Sequence, residues 1–300
     1  MLAMQTLTEI RRMLEAAGLS PRKAFGQCFL VDHNMLAKLL ELAEPPAGLT
    51  VLEVGPGTGT LTEELLGLGA GVVACEIDHG MCRLLRQRLA GRAGFTLIEG
   101  DVLAGKHRLA PEALEALPRQ TQLVSNLPYS IATSLLAECM AESWRQLRQP
   151  APARRRFERM TFTVQREVAD RLAAGCGSDA YGPVSVMAAI MGSLKPGPVV
   201  SPGSFWPRPN VESRMCRFDF DAGRAALLED VGVLQRLLAH AFGQRRKLIR
   251  SICRRKGLGF PPDAVEASMA SAGIDPSCRP ERVEPGGFLA FANVLSRAVQ

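Results

Sequence analysis

The chain has 300 residues, 47% hydrophobic and 22% charged, which excludes a disordered polypeptide and leaves room for one large domain with a smaller one beside it. Its formal net charge of +6 suits an anionic partner such as nucleic acid without naming one. The eight cysteines contain no C-x-x-C pair, the start lacks a cationic-then-apolar signal, and the apolar run Val184–Leu194 is too short to span a bilayer, so the expectation is a cytoplasmic monomer with no metal and no membrane contact.

Residues 6–18 place Leu7, Ile10, Leu14 and Ala17 on a helical period that Gly18 ends. Asp32 is placed to cap a helix over 33–43. Apolar strands then follow at 50–54, 72–77, 95–100, 121–126 and 160–165. Helical patterns at 61–68, 80–90, 131–148 and 166–173 separate or follow them. That alternation predicts βαβ units and a parallel sheet covered on both faces, an α/β fold. The Pro- and Arg-rich stretch 145–159 reads as a solvated loop, with RNA contact as the sharper alternative. Residues 213–220 read as a last strand. Beyond Asp221 no strand is evident, and four helical patterns lie near 228–241, 243–256, 262–272 and 286–299. The expected division is therefore 1–221, a sheet domain with an N-terminal helical extension, and 222–300, a small all-helical domain.

The first strand runs into Glu53, Gly55, Gly57 and Gly59. Glycines there permit a sharp turn and close approach of a ligand to backbone. Glu76 closes the second strand, about 20 residues on, where a carboxylate can accept both hydroxyls of a ribose; Asp101 closes the third. A dinucleotide loop carries its third glycine where this chain has Thr60. The G-x-G-x-G spacing resembles instead the first motif of methyltransferases that use S-adenosyl-L-methionine, and an acid at 53 suits a cationic sulfonium.

The fourth strand ends in Ser125-Asn126-Leu127-Pro128-Tyr129-Ser130. The amine of a nucleobase is a poor nucleophile because its lone pair is delocalised into the ring. Acceptors aimed at its N–H bonds, the Asn126 side-chain carbonyl and the Leu127 backbone carbonyl, pull it toward a tetrahedral shape. Pro128 stiffens the turn and brings no competing N–H, and Tyr129 offers a face for an extruded base, worth about 1–3 kcal/mol. Positioning for in-line attack is then the main catalytic work. The plain alternative for Asn126 is a helix cap.

This corner resembles the N-[LIP]-P-Y signature of adenine-N6 methyltransferases. With K-A-F-G-Q-C-F-L (23–30), V-L-E-V-G-P-G-T-G-T-L-T-E-E-L (51–65), V-Q-R-E-V-A-D-R-L (164–172), Y-G-P-V-S-V (181–186), S-F-W-P-R-P-N-V-E-S (204–213) and F-G-Q-R-R-K-L-I-R (242–250), the chain is identified as resembling the ribosomal RNA adenine dimethylases, nearest to their small-subunit members. The resemblance implies a Rossmann-like S-adenosylmethionine methyltransferase sheet. It also implies 16S rRNA in the small ribosomal subunit as partner, and two adjacent N6,N6-dimethyladenosines in a hairpin near its 3′ end as product. The implied cofactor shell is Gln27, Cys28, Leu30, Gly55, Gly57, Glu76, Ile77, Asp101, Val102 and Asn126, with Asn126, Leu127, Pro128, Tyr129 and Phe205 around the target base. Phe205 would stack opposite Tyr129; the alternative is core packing beside Trp206. Cys28 stands where the family usually has Asn, so side-chain contacts there give way to backbone ones. The stretch 145–156 exceeds the family's length there and is expected to form a surface insertion.

Residues 245–256 hold seven bases and no acid. Wound as a helix, Arg246, Lys247, Arg250 and Arg254 share one side and Leu248, Ile249 and Ile252 another. With Arg245 they form the expected RNA contact, made to phosphates rather than bases. Two rival readings stay open: a large-subunit adenine methylase of the macrolide-resistance type, and a non-catalytic ribosome-assembly or transcription accessory factor.

Overall fold

The computed structural model describes residues 5–22, 26–45, 47–105, 108–253 and 258–298. Two strands, β1 (Phe29–Leu30) and β8 (Phe205–Trp206), form an antiparallel ribbon. The other seven, β2 (Thr50–Val54), β3 (Gly71–Glu76), β4 (Phe95–Glu99), β5 (Gln120–Asn126), β6 (Arg156–Gln165), β7 (Gly192–Val200) and β9 (Ser213–Phe220), form one sheet in the order β4-β3-β2-β5-β6-β9-β7. Val51, Leu52, Val72, Ala74, Leu123 and Val124 are fully buried, as the middle strands of a sheet covered on both faces must be.

The helices are α1 (Leu7–Ala16), α2 (His33–Ala43), α3 (Thr60–Gly67), α4 (His79–Leu89), α5 (Pro111–Ala116), α6 (Ala132–Arg148), α7 (Arg166–Ala173), α8 (Pro183–Met191), α9 (Ala222–Ala225), α10 (Val231–Phe242), α11 (Ile249–Cys253), α12 (Pro262–Ser271) and α13 (Pro285–Arg297). Thr6 caps α1 in a reciprocal box with Glu9, and Asp32, Asp78 and Asp230 cap α2, α4 and α10 through their carboxylates. From β2 the sheet grows first toward β4, then reverses toward β5 and β6. The carboxyl ends of β2, β3, β4 and β5 therefore bring residues 53–59, 76–78, 99–101 and 126–131 to one edge, around a reversal point between β2 and β5.

Three expectations about the sheet and its connections need correction. The sheet is not wholly parallel, because β9 runs antiparallel to both β6 and β7. β7 has no counterpart among the expected strands; its sequence, GSLKPGPVV, holds two prolines, tolerable because β7 lies at the sheet's edge and its register slips between Pro196 and Val199. Gly192, where α8 turns into β7, has no room for a side chain: a Cβ would fall 2.3 Å from the Asp219 carbonyl oxygen. The stretch 145–159, finally, is not one solvated loop. It begins as the last turn of α6 and ends in β6. Arg145 is buried and donates to Glu138 (2.8 Å) and Glu142 (3.1 Å), and Glu142 also accepts from the Arg154 side chain (3.0 Å) and the Arg155 N–H (3.2 Å). Such charges survive burial because each is paired and hydrogen-bonded.

The C-terminal helices carry no strand among the described residues, but the apolar core runs through into them. Leu234, Leu237, Phe288 and Phe291 belong to the cluster that holds Val186, Met187 and Phe218. The Trp144 indole N–H donates to the Leu228 carbonyl at 3.1 Å, and the buried Tyr181 hydroxyl to the Val283 carbonyl at 2.9 Å.

The predicted helix over 243–256 is broken. Residues 243–247 form turns, with the Lys247 N–H on the Gln244 carbonyl at 2.8 Å. The N–H groups of Ile249 and Arg250 bond the Cys278 (2.8 Å) and Pro276 (3.4 Å) carbonyls instead of their own preceding turn.

Candidate functional site

A cleft opens at the reversal point. Of the expected cofactor shell, Gln27, Cys28, Gly55, Gly57, Glu76, Ile77, Asp101, Val102 and Asn126 line it, as do Leu127, Pro128 and Tyr129. Five different segments of the chain are thus brought together.

The glycine loop follows β2. Gly55, Gly57 and Gly59 all take positive φ (69°, 59° and 83°), which favours glycine. The space is filled as well. A Cβ on Gly57 would meet the Phe29 ring at 2.7 Å and one on Gly55 the Pro128 ring at 3.0 Å. Glu76, at the end of β3, is buried, and its two oxygens accept the Gly57 N–H (3.3 Å) and the Asp78 N–H (3.0 Å). Burial pushes its carboxyl pKa upward, and those backbone donors oppose the rise. Each oxygen keeps a lone pair for a further donor. Asp101 is exposed at the rim, with one oxygen on the Leu103 N–H at 2.9 Å.

Glu53 does not serve the cleft as expected. It is fully buried, accepts the Thr62 hydroxyl at 2.7 Å, and lines a smaller recess with Leu36, Leu39 and Leu61. Burial raises its pKa to about 8, so at neutral pH it is largely uncharged and no partner for a sulfonium.

Asn126 ends β5. Its Nδ2 donates to the Cys28 carbonyl at 3.0 Å, while its buried Oδ1 has no partner. An unpaired buried acceptor costs about 1–3 kcal/mol, so Oδ1, on a residue that lines the cleft, is left open to a donor. Leu127 hands its N–H to Thr163 O at 3.1 Å, behind the turn. Tyr129 is half-buried, its hydroxyl 2.7 Å from Ser213 Oγ, and burial raises its pKa. The Cys28 thiol is half-buried with its pKa also raised by burial, hence protonated; its carbonyl makes the contact.

Two expected members lie outside the cleft. Leu30 lines the smaller recess, which shares Cys28 and Asn126 with the cleft. Phe205 is 3% exposed and packs with Leu36, Val124, Val200 and Met215, so its faces are covered by core. Its pairing with Leu30 across the β1–β8 ribbon turns it inward, and Trp206 instead stacks on Phe29 at 6.1 Å. Sequence reasoning missed Asp78, which caps α4 and holds Gln27, and Ser213, which holds Tyr129. A capping acid two residues past Glu76 was the available signal for the first; Ser213 gave none, since only the tertiary fold brings it to Tyr129.

The cationic segment is more scattered. Arg246, Lys247 and Arg250 are exposed. Arg245 is not a free contact: its guanidinium donates to the Asp179 (2.6 Å) and Ser178 (3.0 Å) carbonyls and lies 4.0 Å from Glu281. Arg254, like the 23–25 part of the entry block, lies outside the described residues. Among the described residues no helix is long and apolar enough to cross a membrane, and no group of three or more His, Cys, Asp or Glu could hold a metal.

Residues 18–296 match the family described as ribosomal RNA adenine dimethylase. The chain is 40% identical to the ribosomal RNA small subunit methyltransferase A of Phenylobacterium zucineum, over 97% of this chain and 94% of that protein. It is 36% identical to the protein of that name from Deinococcus radiodurans, over 95% and 89%. In three dimensions it resembles a dimethyladenosine transferase from Plasmodium falciparum (TM-score 0.65, 21% identity, 87% and 94% covered). It also resembles the 23S rRNA methyltransferase ErmE (TM-score 0.59, 25% identity, 89% and 99% covered).

Proposed function

The chain belongs to the ribosomal RNA adenine dimethylase family, and from that premise we propose that it transfers methyl groups from S-adenosylmethionine to N6 of two adjacent adenosines near the 3′ end of 16S rRNA, in small-subunit particles during their biogenesis. The observation that carries the reading is Asn126, whose buried Oδ1 has no partner, lining the same cleft as Glu76 and the glycine loop.

The residues present fit the cofactor. Glu76 would accept the ribose hydroxyls, Asp101 the adenine amine, Ile77 and Val102 would flank the ring, and the backbone at Gln27, Cys28, Gly55 and Gly57 would enclose the methionyl part. When bound, S-adenosylmethionine supplies an electrophilic methyl carbon on a sulfonium. The protein's own work lies with the adenine. Asn126 Oδ1 and the Leu127 carbonyl accept the two N6 hydrogens and so direct the nitrogen lone pair. Pro128 adds no donor, and Tyr129, steadied by Ser213, carries the extruded base on its ring. The amine proton becomes acidic as the new bond forms, so no strong base is required. Arg246, Lys247 and Arg250 would meet RNA phosphates, with the sheet unit (1–221) and the helical unit (222–300) flanking the hairpin.

The test is incubation with labelled cofactor and small-subunit particles whose adenines lack the modification, followed by mapping of modified nucleotides. Dimethyladenosine at two neighbouring positions near the 3′ end of 16S rRNA is expected. Label confined to 23S rRNA would overturn the substrate, and no label at all would leave a binding factor.

A further inference from the structure

We propose that Asp78 is a positioning residue that sets which end of the Asn126 amide faces the cleft, acting through Gln27 and the Cys28 carbonyl. The inference rests on the preceding section only in treating Asn126 Oδ1 as the working end.

A primary amide can present either its oxygen or its nitrogen, and only the oxygen can accept an N–H. Here the choice is made from behind, because the Cys28 carbonyl takes the Nδ2 end at 3.0 Å. That carbonyl must itself be held still. On one side the chain is tied into the β1–β8 ribbon, with the Val31 N–H on the Ser204 carbonyl at 2.9 Å. On the other side stands Gln27. Its Oε1 accepts the Arg22 N–H at 2.8 Å, and its Nε2 donates to Asp78 Oδ2 at 3.2 Å. Arg22 Nε also approaches Oδ2, at 3.6 Å.

Asp78 divides its oxygens between two tasks. Oδ1 caps α4 on the Gly80 (2.8 Å) and Met81 (3.3 Å) N–H groups, and Oδ2 receives the entry segment. Its own N–H binds Glu76 at 3.0 Å. A 2% exposed carboxylate thus joins the segment carrying the Cys28 carbonyl to the acid proposed to hold the ribose. The arrangement also accounts for cysteine at 28, since the contact that matters there is made by backbone.

Asp78→Asn separates the two tasks. The amide oxygen can keep the cap, while an NH2 in place of Oδ2 opposes the Gln27 NH2. The expected result, read on the nitrogen-labelled chain without cofactor, is that the Asn126 side-chain amide hydrogens exchange about tenfold faster while the melting temperature holds. With small-subunit particles, kcat should fall about tenfold and KM for the cofactor change less than about threefold. In an Asn126→Asp background the same substitution should cost under about twofold, because a carboxylate has no wrong end. Gln27→Ala, which leaves the cap whole, should accelerate the amide exchange as Asp78→Asn does and serves if Asp78→Asn unfolds. Unchanged amide exchange in both variants, or an equal loss of kcat in both backgrounds, overturns the proposal. Absence of methyl transfer by the unaltered chain would sink the function of the preceding section instead, and the exchange rates would still decide the latch.

Discussion

At the carboxyl edge of the sheet, Glu76 and Asn126 are each held by backbone from another segment, Glu76 by Gly57 and Asn126 by Cys28. Along 246–250, Arg246, Lys247 and Arg250 stand exposed on a segment whose backbone is tied to the Cys278 and Pro276 carbonyls. The contrast follows from what each region must do. A methyl acceptor has to be placed to a fraction of an ångström, so its acceptors need rigid support. A phosphate-facing surface works through summed charge over a Debye length of about 8 Å and tolerates mobile side chains.

That contrast can be broken experimentally, first at its rigid end. Asn126→Ala should lower kcat by about a thousandfold, on the scale of losing one aligned polar group, with affinity for S-adenosylhomocysteine kept within about threefold; calorimetry with single-turnover methylation checks both. Glu76→Ala should do the reverse, weakening cofactor binding about a hundredfold through two lost charged hydrogen bonds. If either loss stays below about fivefold, the support described here does not matter to the chemistry.

Glu53 sharpens the comparison from within the same edge. Its folded pKa of about 8 lies above the unfolded carboxyl value, so the folded state binds the extra proton. Its contribution is whole below the unfolded pKa and is lost as pH rises through about 8. Denaturant titrations should show stability falling by about 3 kcal/mol between about pH 5 and about pH 8. The slope should flatten in Glu53→Gln and persist in Asn126→Ala. The smallest effects belong to the cationic end. Arg246→Ala with Arg250→Ala should weaken RNA binding about tenfold and reduce the salt slope by about 1.5. Arg245→Ala should lower thermal stability and leave that slope alone, because its guanidinium is occupied by Ser178 and Asp179.

The elements most legible in the sequence were those whose signal is local. β2 to β5 each carry a short apolar run, such as Val51-Leu52 and Leu123-Val124, and the glycine loop and the Asn-Leu-Pro-Tyr turn impose backbone conditions that few other residues meet. The opaque features depend on distant partners. β7 is hidden because its prolines contradict a strand unless its place at the edge is known. Phe205 looks available until its pairing with Leu30 turns it into the core. Glu53 looks like a charge until burial, against the pull of the Thr62 hydroxyl, leaves it largely neutral. The helical period over 243–256 was genuine, but Cys278 and Pro276 compete for the N–H groups that would have continued it.

The two prolines of β7 have an outcome beyond pairing within the molecule. That strand forms one outer rim of the sheet, and two of its nine residues bring no N–H. A foreign polypeptide laid alongside would meet gaps where donors ought to be, and the slip in register would carry it out of step. The rim is thereby a poor template for runaway strand addition, which protects a basic protein that has to remain dispersed until it reaches its RNA.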